Sequence, residues 1–256
     1  VTTGLVGGTG YVGGTIARQR PVDRSYHRPD LHEIRGQRFA RLYLAGAPAQ
    51  KWVANGDPEG DAAALAAQVE HLRHVQAQEV VLISTIDVYP RPVDVDERTP
   101  LSTDDHEQAY GRNRLWLEHA VREVFSRTLV LRLPGLFGTG LRKNLVYDLL
   151  HEREEFAHRD SVFQFYDLSR LCDDADAALE AGLDLVNLAT APVSAREVAR
   201  EVFGRELVNE QGTPARYDMR TRHAQVFGGS GPYVADRPQV LAALQDFVSA
   251  EREGNA

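Results

Sequence analysis

Residues 1–14 read V-T-T-G-L-V-G-G-T-G-Y-V-G-G. The apolar pair Leu5 and Val6 runs into Gly7, Gly10 and Gly13, spaced G-x-x-G-x-x-G, and Ile16 and Ala17 then open a helical pattern. The order is strand, tight glycine turn, helix N-terminus. Glycine adopts the positive φ that such a turn needs at little steric cost. Without a Cβ it also lets a pyrophosphate approach the backbone. The helix behind it offers unpaired N–H groups and the positive end of its dipole. The third glycine permits close helix–strand packing. A strand before and a helix after distinguish a dinucleotide turn from a purely structural one, which is the alternative reading. Gly7, Gly10, Tyr11, Val12 and Gly13 are therefore the candidate phosphate-binding residues.

Outward from this turn, strand-like and helix-like segments alternate. The first helix ends near Arg20, before Pro21. Residues 22–27 resemble a short second strand. Its end carries His27 and Arg28 where a carboxylate would bond an adenosine ribose. Arg28 can meet a 2′-phosphate, which inclines the reading towards NADP over NAD; a solvated basic loop is the plain alternative. Asp23 would reverse that inclination if the strand boundary lay elsewhere. Residues 39–47, F-A-R-L-Y-L-A-G-A, form a strand ending in the small residues Ala45 and Gly46, which let backbone approach a ligand. Residues 62–75 are helical, with Leu65, Val69 and Leu72 on one face. E-V-V-L-I-S-T at 79–85 is a continuous apolar run, as in a central parallel strand. Residues 110–125 are a helix and 128–133 a further strand, stopped by Pro134 and Gly135.

This alternation predicts an α/β fold: a Rossmann-type, doubly wound parallel sheet over residues 1–140. Residues 141–256 are expected to form a small C-terminal substrate lobe interleaved with the sheet domain. That lobe should hold a helix at 144–152, strands at 163–166 and 183–188, a helix at 194–203 with Ser194 and Glu197 as a capping box, and a last helix at 238–251. In parallel sheets ligands sit at the carboxyl ends of strands, and Gly7, Gly46, Thr85 and Pro134 all fall at such ends.

Composition narrows the function. The 256 residues are 43% hydrophobic and 26% charged, ordinary for a globular chain. A formal net charge of −8 argues against nonspecific nucleic-acid binding, which needs a basic surface. One cysteine, Cys172, excludes an intrachain disulfide and a cysteine-based zinc site. The nine histidines show no metal-ligand spacing, so no metal is expected. No apolar run approaches the length of a membrane span and no leader pattern opens the chain, so a cytoplasmic protein is expected.

Three residues carry candidate chemistry. Thr85 follows the strand E-V-V-L-I-S-T. Tyr110 begins Y-G-R-N-R, and Arg114 stands four residues later on the same helical face. A guanidinium beside the phenol would lower its pKa. A phenol near neutrality can exchange a proton with an alcohol or carbonyl while hydride moves to or from nicotinamide. The plain alternative is a packed tyrosine with Arg114 on the surface.

Several motifs together resemble the extended short-chain dehydrogenase/reductases, the superfamily of NAD-dependent epimerases and dehydratases. They are G-G-T-G-Y-V-G at 7–13, L-A-G-A at 44–47, S-T-I-D-V-Y at 84–89, D-E-R-T-P at 96–100, Y-G-R-N-R-L at 110–115 and R-L-P-G-L-F-G at 132–138. Later pieces are F-Y-D at 165–167, V-N-L-A at 186–189 and Y-D-M-R-T-R-H-A at 217–224. The resemblance implies NAD or NADP as cofactor and a sugar-like small-molecule substrate, free or nucleotide-linked. It implies Thr85 as the active-site hydroxyl, Tyr110 as acid/base, and the backbone from Pro134 to Leu136 beside the nicotinamide. Asp30 and Leu31 resemble the acidic-apolar pair that contacts adenine. The family's Y-x-x-x-K is Y-x-x-x-R here. The family lysine bonds the nicotinamide ribose and lowers the tyrosine pKa; Arg114 keeps the charge on a wider, planar group. Lys51, after the small-residue strand, is a candidate to supply an ammonium nearby. The departure keeps a rival reading open, a non-catalytic NAD(P)-binding sensor or partner-binding protein. The resemblance also implies a homodimer built on the helices at 62–75 and 110–125.

Overall fold

A computed structural model describes residues 2–254. In chain order the elements are β1 (Thr3–Val6), α1 (Tyr11–Gln19), β2 (Arg24–Tyr26), β3 (Arg38–Leu44), α2 (Lys51–Gly56), α3 (Pro58–Leu72), β4 (Gln76–Thr85), β5 (Val93–Val95) and α4 (Ala109–Val124). There follow β6 (Thr128–Leu133), β7 (Gly135–Phe137), α5 (Leu145–Leu150), β8 (Val162–Phe163), β9 (Phe165–Asp167), α6 (Leu171–Glu180), β10 (Leu185–Asn187), β11 (Val193–Ser194), α7 (Ala195–Glu197), β12 (Asp218–Met219) and α8 (Arg237–Gly254).

The chain divides into two units. The first holds residues 2–91, 98–132 and 171–186. Its centre is a six-stranded sheet ordered β10-β6-β4-β3-β1-β2, in which β2, β1, β3 and β4 pair in parallel. The sheet is of the Rossmann type. Strand order turns back between β1 and β3, because β2 lies on one side of β1 and β3 on the other. That switch point is where open α/β sheets bind ligands. The core packs Leu42, Leu44, Val80 and Leu82 of the sheet with Leu65, Val69 and Leu72 of α3 and Leu117 and Val121 of α4.

Local chemistry sets the helix boundaries. α3 begins at Pro58, four residues before the expected Ala62. Asp57 caps it by accepting from the Gly60 N–H at 3.0 Å, Pro58 fits the first turn, and Glu59 and Asp61 complement the dipole. The helix α2 has no counterpart in the sequence reading, because six residues containing Asn and Gly carry too short a pattern. β2 covers residues 24–26 only, so Asp23 precedes it and accepts from the Thr3 N–H at the amino-terminal end of β1. Asp23 is thus at the wrong end of the sheet for an adenosine ribose.

The second unit holds residues 92–97, 133–170 and 187–254. Residues 171–186, assigned by sequence to the C-terminal lobe, instead return to the first unit as α6 and most of β10. The second unit's core joins Phe137, Leu145, Leu149, Phe165, Val193, Val198, Val240 and Leu244. The expected single strand at 163–166 is two strands in different sheets. β8 pairs antiparallel with β11, and β9 pairs parallel with β7. The break falls at buried Gln164, whose side-chain amide bonds both the N–H and the carbonyl of Met219, at 2.8 and 2.7 Å. Ser194 and Glu197 form the expected capping box, but beyond Glu197 the helix continues with π geometry over Val198–Val202. Glu97 accepts from the Asn187 and Arg222 N–H groups and from the Thr221 hydroxyl, a loop-fastening role.

Candidate active site

The glycine turn follows β1 at the switch point. Gly7 has φ of +94°, and a Cβ there would lie 2.5 Å from the Ala45 carbonyl oxygen. Gly46 repeats the argument from the other side, since its Cβ would lie 2.8 Å from Val6 Cγ1. The start of the turn and the small residues after β3 are therefore packed together, with no room for a side chain at Gly7 or Gly46. Gly13 closes the turn onto α1, because a Cβ there would stand 2.1 Å from the Gly7 carbonyl oxygen. Gly10 is the N-cap of α1 and Tyr11 and Val12 open the helix; no side chain caps it and its first turn holds no acid. The positive helix end is left for an anion from outside.

Further groups in the first unit suit a bound dinucleotide. Gln68 on α3 is more than nine-tenths buried, its Nε2 has no partner, and its Oε1 lies against Gly46. An unpaired buried donor is costly unless a ligand satisfies it. His27 Nδ1, near Gly8, is likewise buried without a partner. Arg28, just past β2, is exposed. Asp30 and Leu31 are tied into the fold: Asp30 Oδ1 accepts from the His27 N–H, and Leu31 is buried in the core with Tyr26, Ile34 and Phe39.

Thr85 ends β4 and caps the turn Ile86–Val88, its hydroxyl accepting from the Asp87 N–H at 3.2 Å. Tyr110 lies in the first turn of α4, and two devices bring it to Thr85. Its N–H donates to Asn55 Oδ1 on α2 at 2.9 Å. Gly111 lets the helix sit directly on the turn, because a Cβ there would be 2.0 Å from the Asp87 carbonyl oxygen. The turn itself is fastened beneath. Ser84 and Tyr89 bond the buried Arg132–Glu118 pair, through Glu118 Oε1 and Arg132 Nη1. Thr85 lies near the Tyr110 phenol and favours its ionised form.

Tyr110 is 8% exposed. Burial, the largest influence, pushes its phenol above the ordinary value, and the Asp87 carboxylate pushes the same way. Arg114, Thr85 and Lys51 pull it down without winning. This corrects the expectation of a phenol brought near neutrality by Arg114. The physical reason is the burial of the phenol, which outweighs the nearby charge of Arg114. Its guanidinium lies over the Tyr110 ring, 4.5 Å from the centroid, and its Nη1 and Nη2 grip Asp61 at 2.7 and 2.9 Å. Nη2 also donates to the Pro48 carbonyl. Burial pushes the Asp61 carboxyl up, but bonds from Arg114 and Asn113 outweigh it and hold it below the ordinary range.

Sequence reasoning overlooked three side chains here. Asp61, Asn55 and Asp87 come from α3, α2 and the turn after β4. Only Asp87 left a trace, two residues past Thr85 in S-T-I-D. His106 was also missed: it lies beside Gly111, its Nε2 is buried without a partner, and burial holds its imidazole below the usual value. Lys51, by contrast, is close. Its Nζ is 2.7 Å from Asp87 Oδ1.

Pro134 and Leu136 belong to the second unit. Pro134 is buried, and the Leu136 carbonyl accepts from Asn144 Nδ2 at 2.8 Å. Among the described residues no group of histidine, cysteine or acidic side chains is arranged to hold a metal, and no helix is long and apolar enough to cross a membrane.

No family model matches the chain, and no curated protein is similar to it in sequence. Solved structures are similar over its whole length. A dTDP-4-dehydrorhamnose reductase from Yersinia enterocolitica is 12% identical, with 97% of this chain and 98% of that one covered and a TM-score of 0.72. A UDP-galactose 4-epimerase is 15% identical, with 99% of each chain covered and a TM-score of 0.75. MoeE5, solved with UDP-glucuronic acid and NAD, is 16% identical, with 98% and 100% covered and a TM-score of 0.74. The chain therefore has the α/β fold of these nucleotide-sugar enzymes, the fold that its resemblance to the extended short-chain dehydrogenase/reductases implies.

Proposed function

We propose that the protein is an NAD(P)-dependent oxidoreductase or epimerase acting on a hydroxyl or carbonyl of a sugar-like, nucleotide-linked substrate. The observation that carries this reading is the packing of the start of α4, with Tyr110, on the turn that Thr85 caps at the carboxyl end of β4, in the same unit as an uncapped glycine turn. The turn at Gly7–Gly13 would hold the pyrophosphate, with Ala45, Gly46 and Gln68 beside it. Arg28, with no carboxylate at the end of β2, inclines the choice to NADP over NAD. The nicotinamide would supply the hydride acceptor or donor. Thr85 would bond the substrate oxygen and orient it. In reduction Tyr110 gives its proton to the carbonyl oxygen as hydride reaches the carbon; in oxidation the phenolate takes the hydroxyl proton as hydride leaves. A phenol held above its ordinary value is stocked with the proton for the reducing direction.

The residues from Pro134 to Leu136 are proposed to line the nicotinamide, and the second unit to carry the substrate. A homodimer through α3 and α4 is proposed as well; Trp116 on α4 is 39% exposed. Cytoplasmic residence suits Cys172, a buried free thiol.

The test is a nicotinamide-fluorescence titration with NADH and NADPH, followed by turnover of nucleotide-sugar carbonyls. Gly10→Asp, which places a carboxylate at the helix N-terminus, should abolish binding. Tyr110→Phe should keep binding and lower turnover by about 10²-fold or more. Wild-type turnover in Tyr110→Phe would remove the acid/base assignment. Binding without turnover of any carbonyl would favour the second reading, a non-catalytic NAD(P)-binding protein, for which the diversion of Arg114 into Asp61 speaks.

A further inference from the structure

The buried face of α3 carries one residue of the wrong kind. Leu65, Val69 and Leu72 are at most 3% exposed and belong to the core, and Gln68 sits among them at 7%. An apolar stripe has no use for an amide at that place. Gln68 Nε2 is buried without a partner, a standing cost unless something outside the chain takes up the hydrogen bond. The other end of the amide shows where it lies. Gln68 Oε1 is 3.3 Å from the point a Gly46 Cβ would occupy, and that same point is 2.8 Å from Val6 Cγ1 and 3.7 Å from the Gly7 nitrogen. The amide thus ends at the seam between the glycine turn and the segment after β3, where Gly7 and Gly46 leave the backbone bare. Beyond the turn, the nine-residue helix α1 starts at Gly10 with no capping side chain and no acid in its first turn. α3 itself is held firmly. Asp61, seven residues before Gln68, is gripped by Arg114 and Asn113 of α4.

We propose that Gln68 is a dinucleotide-binding residue: its side-chain amide hydrogen-bonds the ribose–diphosphate stretch of the cofactor at the seam of Gly7 and Gly46. The proposal rests on the reading of the glycine turn as the NAD(P) site and adds to it a side chain that no glycine spacing specifies. Phosphate oxygens accept, and ribose hydroxyls both donate and accept. A half-turn about the last side-chain bond exchanges the two ends of the amide, so either end can meet the ligand. An apolar side chain at this position would serve the fold better and the ligand worse. That opposition separates a binding residue from a structural one.

The experiment titrates wild type, Gln68→Met and Gln68→Leu by calorimetry and melts each protein without ligand. The probes are the coenzyme that wild type binds more tightly, NADH or NADPH, and its nicotinamide-free core, ADP-ribose or the 2′-phosphate of ADP-ribose. Both variants should bind the core about tenfold more weakly, the loss of one hydrogen bond to the ligand. Without ligand they should melt no lower than wild type, because an unpaired amide has given way to an apolar group of similar size. Unchanged affinity for the core overturns the proposal: the amide is then structural if the variants melt lower, and served by buried water if they do not. Wild-type binding that Gly10→Asp abolishes and both Gln68 variants keep would leave the dinucleotide reading standing and remove this proposal alone. Absence of binding by wild type would remove both.

Discussion

Two ion pairs flank Tyr110, and they do opposite work. Arg114–Asp61 is sealed: the side chains are 3% and 5% exposed, the contact is bidentate, and Asn113 adds a further bond to the carboxylate at 2.9 Å. Lys51–Asp87 is open: the side chains are 40% and 21% exposed and one contact joins them. A sealed pair cannot release either charge without leaving the other unpaired in a poor dielectric. An open pair trades its partner for water or a ligand at small cost. The charge of Arg114 is therefore built into the packing of α4 on α3, while that of Lys51 stays where solvent reaches it.

The comparison breaks most easily at Asp61. Asp61→Asn leaves a buried guanidinium half-paired and should cost about 3–5 kcal/mol in denaturant unfolding. Its pH signature follows from the depressed carboxyl. The pair's stabilisation is fully present above the unfolded carboxylate pKa, about 3.9, and is lost as pH falls through the lower folded value. Asp61→Asn should flatten the acid limb of the stability curve there, and an unchanged limb would show the pair to be energetically idle. Gly111→Ala comes next. Its Cβ meets the Asp87 carbonyl oxygen, so about 1–3 kcal/mol should be lost as α4 is pushed off the turn, and turnover should fall with it. Lys51→Met should be the smallest, within about 1 kcal/mol in the same melt. A large loss there would mean that the open pair is as structural as the sealed one.

The glycine turn was legible because everything it needs is local: a strand, three bare Cα positions and a helix start within twenty residues. Thr85 at the end of an apolar run and Tyr110 at a helix start were legible for the same reason, although only the Asn55 bond and the packing of Gly111 on the Asp87 carbonyl bring them together. Asn55 and Asp61 were not, since each is an unremarkable polar residue on a helix until that helix is packed against α4. The strand at 163–166 misled because alternation of aromatic residues looks continuous, whereas the pairing of Gln164 with Met219 splits it between sheets.

The sequence by itself determined the α/β alternation and the glycine turn between strand and helix, and it singled out Thr85 and Tyr110 as candidates. These depend on backbone freedom, side-chain period and residue type over short stretches. Only the tertiary structure decided what each charge is for. Arg114 is neutralised by an acid 53 residues away and Lys51 is placed by one 36 residues away. Burial, which no local pattern fixes, decides how much of each charge the phenol feels.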